Sequence, residues 1–216
     1  MKILSVSELA IPEVKVIRFA RFLDHRGYFT ESYRKSDLQV ESVPASLRGL
    51  RFVQTNESFS RAGTVRGLHF QWNPYMGKLI RTVAGHLIDL ALDIRKGSPT
   101  FGRIIAHDMP STGEQAHGEW IWVPPGFAHG VFFLQDTYIE YFCTGEYSPG
   151  CEAGISPLAK DIDWSLCDLH LKRQFDTLMS GNKLISEKDQ NAFTIAAWAD
   201  DKRSDNFIFP MRALAA

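Results

Sequence analysis

Three cysteines in 216 residues, at 143, 151 and 167, cannot all pair within one chain. No two of them stand at CxxC spacing, which excludes a zinc ribbon and a thioredoxin-type redox pair. A reducing, cytoplasmic setting is the expectation that follows. Long apolar runs are also missing: nowhere do 18 consecutive apolar residues occur, so no membrane-spanning helix is expected. The opening MKILSVSELAIPEV is broken by Ser5, Ser7, Glu8 and Pro12 before it reaches signal-peptide length. Charge of one sign is lacking as well, with 24 basic residues against 25 acidic and a net −1. Nothing in that balance draws the protein to nucleic acid or an anionic membrane, so an anionic ligand must be held by a local cluster of cations.

What is present is an ordinary globular composition, 44% hydrophobic and 23% charged, in a chain long enough to bury its own core. Short runs rich in Val, Ile, Phe and Tyr predict strands at Val14–Phe19, Tyr28–Tyr33, Leu50–Asn56, Thr64–Gln71, Lys78–Val83, His86–Ile94, Gly102–Asp108, Trp120–Val123, His129–Leu134 and Tyr138–Thr144. Turn residues separate them, as at Gly97-Ser98-Pro99 and Pro124-Pro125-Gly126. That rhythm predicts a mainly β sandwich or barrel, without the strand–helix alternation of a doubly wound fold. Helices are expected only at the periphery: a short one in Lys35–Val43, then Leu166–Met179 and Ser186–Ala197, the last capped by Ser186. No repeat or linker divides the chain. The expectation is a single domain, residues 1–216, with a barrel over about 13–165 and a helical segment over about 166–216.

The densest polar stretch is RAGTVRGLHFQWNPYMGK, residues 61–78. Strand alternation puts His69 and Gln71 on one face and Leu68 and Phe70 on the other. Inside a barrel, an imidazole at 69 has the chemistry of a proton carrier. A second signal is GEWIWVPPGFAHG, residues 118–130, a strand and a Pro-Pro-Gly turn leading to His129. Together the two segments resemble the paired motifs of the cupin, or jelly-roll, superfamily. Metal-binding cupins carry an HxH pair, a following Glu and a later His. Here the pair reads His69-Phe70-Gln71 with no Glu before Gly77, so no metal site is expected.

The blocks DHRGYFTESY, RGLHFQ, GKLIRTVAGHLIDLALDIRKGSPTFG, WVPPGFAHGV and LISEKD, in that order, resemble the dTDP-4-dehydrorhamnose 3,5-epimerase family from about residue 13 to about 190. The resemblance implies a cupin-type barrel, a homodimer, and epimerisation at carbons 3 and 5 of a nucleotide-linked 4-keto-6-deoxy sugar without metal or redox cofactor. A ketone acidifies the protons on both neighbouring carbons, so such a site needs a base, a cation at the ketone oxygen and an acid on the opposite face. By resemblance His69 is the base, Asp189 its carboxylate partner, Lys78 the cation and Tyr141 the acid. His129 faces the cavity, and Arg66, Gln54, Asn56 and Gln71 line the substrate. Arg26 and Glu31 match residues that reach the nucleotide from the partner subunit, and an aromatic there, Phe29 or Tyr28, is the candidate to face the base.

Three segments depart from the family pattern. Gly154–Asp161 lacks the usual tryptophan, Ser165–Ile185 is longer than usual, and Trp72, Asn73, Tyr75 and Met76 alter the loop near the expected cavity entrance. They leave open a single-carbon epimerase or isomerase acting on a different nucleotide sugar. A metal-dependent cupin oxygenase using His69, Gln71 and His129, and a non-catalytic sugar-nucleotide binder, are the readings from other classes.

Overall fold

In the computed structural model, which describes residues 1–211, strands dominate and helices gather near the C-terminus. Residues 212–216 of the expected helical segment lie outside the described residues. The strands are β1 (Ile3–Glu8), β2 (Lys15–Ala20), β3 (Phe22–Asp24), β4 (Gly27–Phe29), β5 (Gln54–Ser60), β6 (Thr64–Gln71), β7 (Lys78–Asp93), β8 (Ile104–Ser111), β9 (His117–Val123), β10 (Phe127–Phe133), β11 (Thr137–Cys143), β12 (Glu152–Gly154) and β13 (Leu184–Ile185). The helices are α1 (Leu169–Ser180), α2 (Glu187–Gln190) and α3 (Ile195–Asp200).

Two antiparallel layers share one strand. The first half of β7 pairs with β9 and β11, in a layer ordered β1-β2-β9-β7-β11-β5. Its second half pairs with β8 and β10, in a layer ordered β8-β7-β10-β6-β12. The sequence predicts two strands here, ending at Val83 and resuming at His86; the chain instead runs through as one strand of 16 residues. Gly85 makes this possible. It sits at φ +112°, and a Cβ there would lie 2.5 Å from Thr137 Oγ1 and 2.7 Å from Thr137 Cα. Around it the inward face changes from even-numbered residues, with Ile80, to odd-numbered ones, with Leu87 and Ala91, all three in the interior cluster between the layers.

That interior is apolar over much of its length, with Val16, Ile80, Ile105, Ile121, Phe127, Val131 and Ile139 in contact. The outer face of the second layer carries Leu68, Phe70, Leu90 and Phe132, and is covered by Leu171 and Phe175 of α1 and by Trp198 and Phe207 further on. The outer face of the first layer, including Leu79, Trp120 and Trp122, is covered by residues 33–52. Strand alternation thus divides β6 and β7 between the covered outer face and the interior, except where it is interrupted at Gly67 and Gly85.

The helical expectations need adjustment. Lys35–Val43 holds only a single 3₁₀ turn, Lys35–Leu38. The Leu166–Met179 helix starts at Leu169, because the Asp168 carboxylate accepts the N–H groups of His170 and Leu171 as its cap. Ser186 does cap a helix, accepting from Asp189 N, but the expected Ser186–Ala197 helix splits in two. Phe193 N donates to Gly154 O and Phe193 O accepts from Ser156 N, and this pairing breaks the helix before Thr194 caps α3.

Gly85→Ala should destabilise the protein by about 2 kcal/mol or more, from the strained backbone and the clash with β11 together. Urea unfolding of the variant reads this directly, and a midpoint equal to the wild type would show that the strand tolerates a side chain at its crossing.

Candidate active site

Side chains from six strands and one helix meet at one end of the barrel interior. His69 on β6 and His129 on β10 lie directly opposite each other in the strand register. Across the interior, Tyr141 on β11 pairs with Asn56 on β5, and Cys143 with Gln54. Lys78 begins β7, and the face change at Gly85 turns Asp89 on the same strand inward as well, where it meets His129.

His69 Nε2 donates to Asp189 Oδ1 at 2.7 Å. Asp189 also accepts from Gly67 N through Oδ2 at 3.3 Å, and its own N–H is capped by Ser186 Oγ. Burial by itself would raise the Asp189 carboxyl; the hydrogen bond and charge of His69, with the Gly67 N–H, hold it below the ordinary carboxylate range. Nothing near residue 189 in sequence reveals this partnership. It arises because β13 pairs parallel to the start of β6 while Phe193 pairs beside β12, so α2 is fixed at both ends against the strand that carries His69. With Nε2–H engaged, Nδ1 is the imidazole nitrogen left to accept a proton.

Strict alternation would put Arg66 on the Leu68 face. A register shift between the His129–His69 and Val131–Arg66 pairs supplies an extra residue in β6 and turns Arg66 toward β5. Gly67 occupies the shift at φ +110°, where a Cβ would stand 2.6 Å from Gly130 Cα. Arg66 Nε donates to Ser60 Oγ at 2.9 Å, and its charge reaches Tyr141. Burial raises the Tyr141 phenol, aided by Cys143 and opposed by Arg66, so it remains a proton donor.

Lys78 lies among groups of both signs. Burial lowers its pKa, while Cys143, Asp89 and Glu152 pull the other way. His129 Nε2 donates to Asp89 Oδ2 at 2.7 Å, yet burial wins over that carboxylate and keeps the imidazole pKa low. Asn56 Nδ2 lies 3.6 Å from Cys143 Sγ, and Gln54 Nε2 donates to Asn56 Oδ1 at 3.0 Å.

Gln71 is engaged elsewhere. Its Nε2 donates to Pro74 O and Glu146 O, and its Oε1 accepts from Ser148 N, which ties two loops together and leaves neither hydrogen free. The altered loop after it leans on the C-terminal segment: Trp72 packs near Trp198, and Tyr75 Oη donates to Asn206 O. The longer stretch before Ser186 is α1.

Arg26, Phe29 and Glu31 are not brought to this cluster by the chain's own contacts. They follow β2 beyond Ala20, which pairs with His117, whereas Lys78 lies beside Val123 at the other end of β9. Arg26 pairs with Asp24 and Glu31 with Met1 and Arg34, while Phe29 is 67% exposed.

Sequence reasoning missed Asp89, Glu152 and Lys188. Asp89 sits in an apolar strand, LIDLALD, where a carboxylate between apolar neighbours is the only signal, and one that Asp93 four residues on shares. Glu152 accepts from Lys188 Nζ at 2.9 Å and from Tyr147 Oη at 3.0 Å, and its charge reaches His69 and Lys78.

An imidazole bonded to a carboxylate, a buried lysine and a buried phenol in one interior are chemically equipped for proton transfer, and the jelly roll that carries them is that of a cupin-fold isomerase. The dTDP-4-dehydrorhamnose 3,5-epimerase family profile matches residues 8–197, and the chain belongs to that family. Among its relatives, the dTDP-4-dehydrorhamnose 3,5-epimerase of Sinorhizobium fredii is 44% identical over 150 residues, covering 68% of this chain and 72% of that one. The enzyme of the same name from Shigella flexneri is 36% identical over 192 residues, 87% and 94% of the two chains. The crystal structure of the 3,5-epimerase from Legionella pneumophila in complex with dTDP-4-keto-L-rhamnose superposes with a TM-score of 0.77 at 30% identity, over 96% of this chain and 99% of that one. Among the described residues, no helix is long and apolar enough to cross a membrane.

The depressed Asp189 carboxyl contributes stability that is complete above the unfolded-state value near 3.8 and is lost as pH falls through the lower folded value. The stability of wild type should therefore fall more steeply than that of Asp189→Asn on acidification from about pH 5 to about pH 2. Denaturant midpoints across that range check it; parallel losses would remove the pair from the stability account.

Proposed function

We propose that the protein epimerises carbons 3 and 5 of a dTDP-linked 4-keto-6-deoxy sugar, using its own side chains for every proton transfer. The observation that carries this reading is the His69–Asp189 pair, with its 2.7 Å bond, set in the same interior as Lys78 and Tyr141. The ligand named in the Legionella pneumophila complex supports the choice of substrate.

His69 Nδ1 takes the proton from the carbon beside the ketone, and Asp189 steadies the imidazolium that forms. The C–H electron pair moves into the carbon–carbon bond and the carbonyl pair onto oxygen, where the Lys78 ammonium favours the enolate. Tyr141 returns a proton from the opposite face, inverting the carbon; the phenolate then takes a proton from solvent and the His69 imidazolium gives its proton up to solvent, which resets both groups. A second cycle at the other neighbouring carbon follows the same course. Arg66 meets the diphosphate, His129, Gln54 and Asn56 line the sugar, and Gln71 fixes the loops that wall the site.

The protein acts as a cytoplasmic homodimer, one domain per chain over residues 1–216. The hairpin of β3 and β4 supports this: among the described residues it pairs with no other strand, and it exposes Phe22, Leu23, Tyr28 and Phe29. Seated against a second copy, it would carry Phe29 to the base and Arg26 and Glu31 to the nucleotide edge of the partner's site.

His69→Asn should abolish solvent exchange at both carbons, a loss of about a thousandfold or more, while dTDP still binds. Tyr141→Phe should slow product formation more than the first proton loss. Following both by NMR in deuterated water decides; full exchange in His69→Asn would remove it as the base. For the dimer, Phe29→Ala should weaken dTDP binding about tenfold, and an active monomer in sedimentation experiments would overturn the shared site.

A further inference from the structure

Asp89 is 1% exposed, and only one of its oxygens is satisfied. Oδ2 accepts from His129 Nε2 at 2.7 Å, whereas Oδ1 is buried without a hydrogen-bond partner among the described residues. A bare carboxylate oxygen in a barrel interior is costly unless a positive charge lies nearby. The candidate is Lys78, which enters the interior from the other half of the same strand and makes no ion pair or hydrogen bond among the described residues. The fold puts the two in one space: without the face change at Gly85, residues 78 and 89, an odd number apart, would point to opposite sides of β7.

We propose that Asp89 is the positioning residue that keeps Lys78 an ammonium facing the substrate ketone, acting through the lysine rather than on the sugar. This rests on the reading of Lys78 as the cation that favours the enolate.

The neighbours on every packed strand leave Asp89 this role. On β11, Cys143 is the larger influence on Lys78 only when ionised, and burial raises the thiol pKa, so at neutral pH it brings no charge. Tyr141, also on β11, is held as the neutral phenol. Glu152 on β12 is bonded to Lys188 and Tyr147. On β10, His129 is held neutral, so its N–H fixes the carboxylate without cancelling the charge. His69 on β6 is paired with Asp189, and Arg66 is turned toward β5. Asp89 is the anion that remains for Lys78.

The alternative is that Asp89 only anchors His129. Asp89→Asn separates the two roles, because an amide oxygen still accepts from His129 but carries no charge. Solvent-deuterium exchange into dTDP-4-keto-6-deoxyglucose is measured as kcat/KM against pH, beside dTDP affinity, for wild type, Asp89→Asn, Asp89→Glu, His129→Gln and Lys78→Gln. Activity that needs a charged lysine is lost as pH rises through the lysine pKa. In Asp89→Asn this alkaline limb should move to lower pH, with kcat/KM at alkaline pH down about tenfold or more and dTDP affinity unchanged. Asp89→Glu should return the limb toward wild type. His129→Gln, which keeps the carboxylate charged, should leave the limb at or above the wild-type position, and this arm carries the test if Asp89→Asn does not fold. An unmoved limb in Asp89→Asn, or a downward shift shared with His129→Gln, would overturn the proposal while Lys78→Gln, inactive, upheld the lysine's role. An active Lys78→Gln would overturn that role itself.

Discussion

One strand belongs to both layers of the barrel, and the site depends on how it crosses between them. Strand β7 serves the first layer with residues from Lys78 and the second with residues to Asp93, and it changes its inward face at Gly85. Any side chain there would press on Thr137 of β11. Because of the change, a lysine and an aspartate that simple alternation would separate share one interior, on either side of the space into which His69 and Tyr141 also point. Strand β6 repeats the device on a smaller scale, where the shift at Gly67 brings Arg66 round to the side of His69.

The same crossing sorts the electrostatics. Burial pushes His129, Tyr141 and Cys143 toward their neutral forms, while the Asp189 carboxylate is held against His69. In the proposed mechanism, a neutral acid, an oriented base and a fixed cation within one low-dielectric space stabilise the developing enolate without reorganising solvent. The apolar filling of the rest of the interior, from Val16 to Phe127, keeps water away from the far side of these groups.

Much of this is legible in the sequence, and the parts that are not have physical reasons. Strand β6 reads correctly to the residue, because alternation against a helical cover leaves a clean period of two in Leu68, His69, Phe70 and Gln71. The β7 crossing does not read, since a glycine between two apolar runs looks like a turn when the pairing strands are unknown. The long-range His69–Asp189 bond enters the sequence reading only through family resemblance; 120 residues separate the partners, and the parallel pairing of β13 that joins them involves two residues. Asp89 escaped because nothing local separates it from Asp93, the other carboxylate of the same apolar strand. Gln71, expected to line the substrate, has its amide engaged by the loops at Pro74, Glu146 and Ser148.

The central claim is that protons leave and return on both sides of the ketone with protein groups alone. Mass spectrometry of dTDP-4-keto-6-deoxyglucose after incubation with chelator-treated enzyme in deuterated water tests it most directly. Two deuterons per sugar, appearing at carbons 3 and 5, is the predicted result. One deuteron would restrict the enzyme to a single carbon, and none would contradict the account of the site as a proton-transfer centre for this sugar.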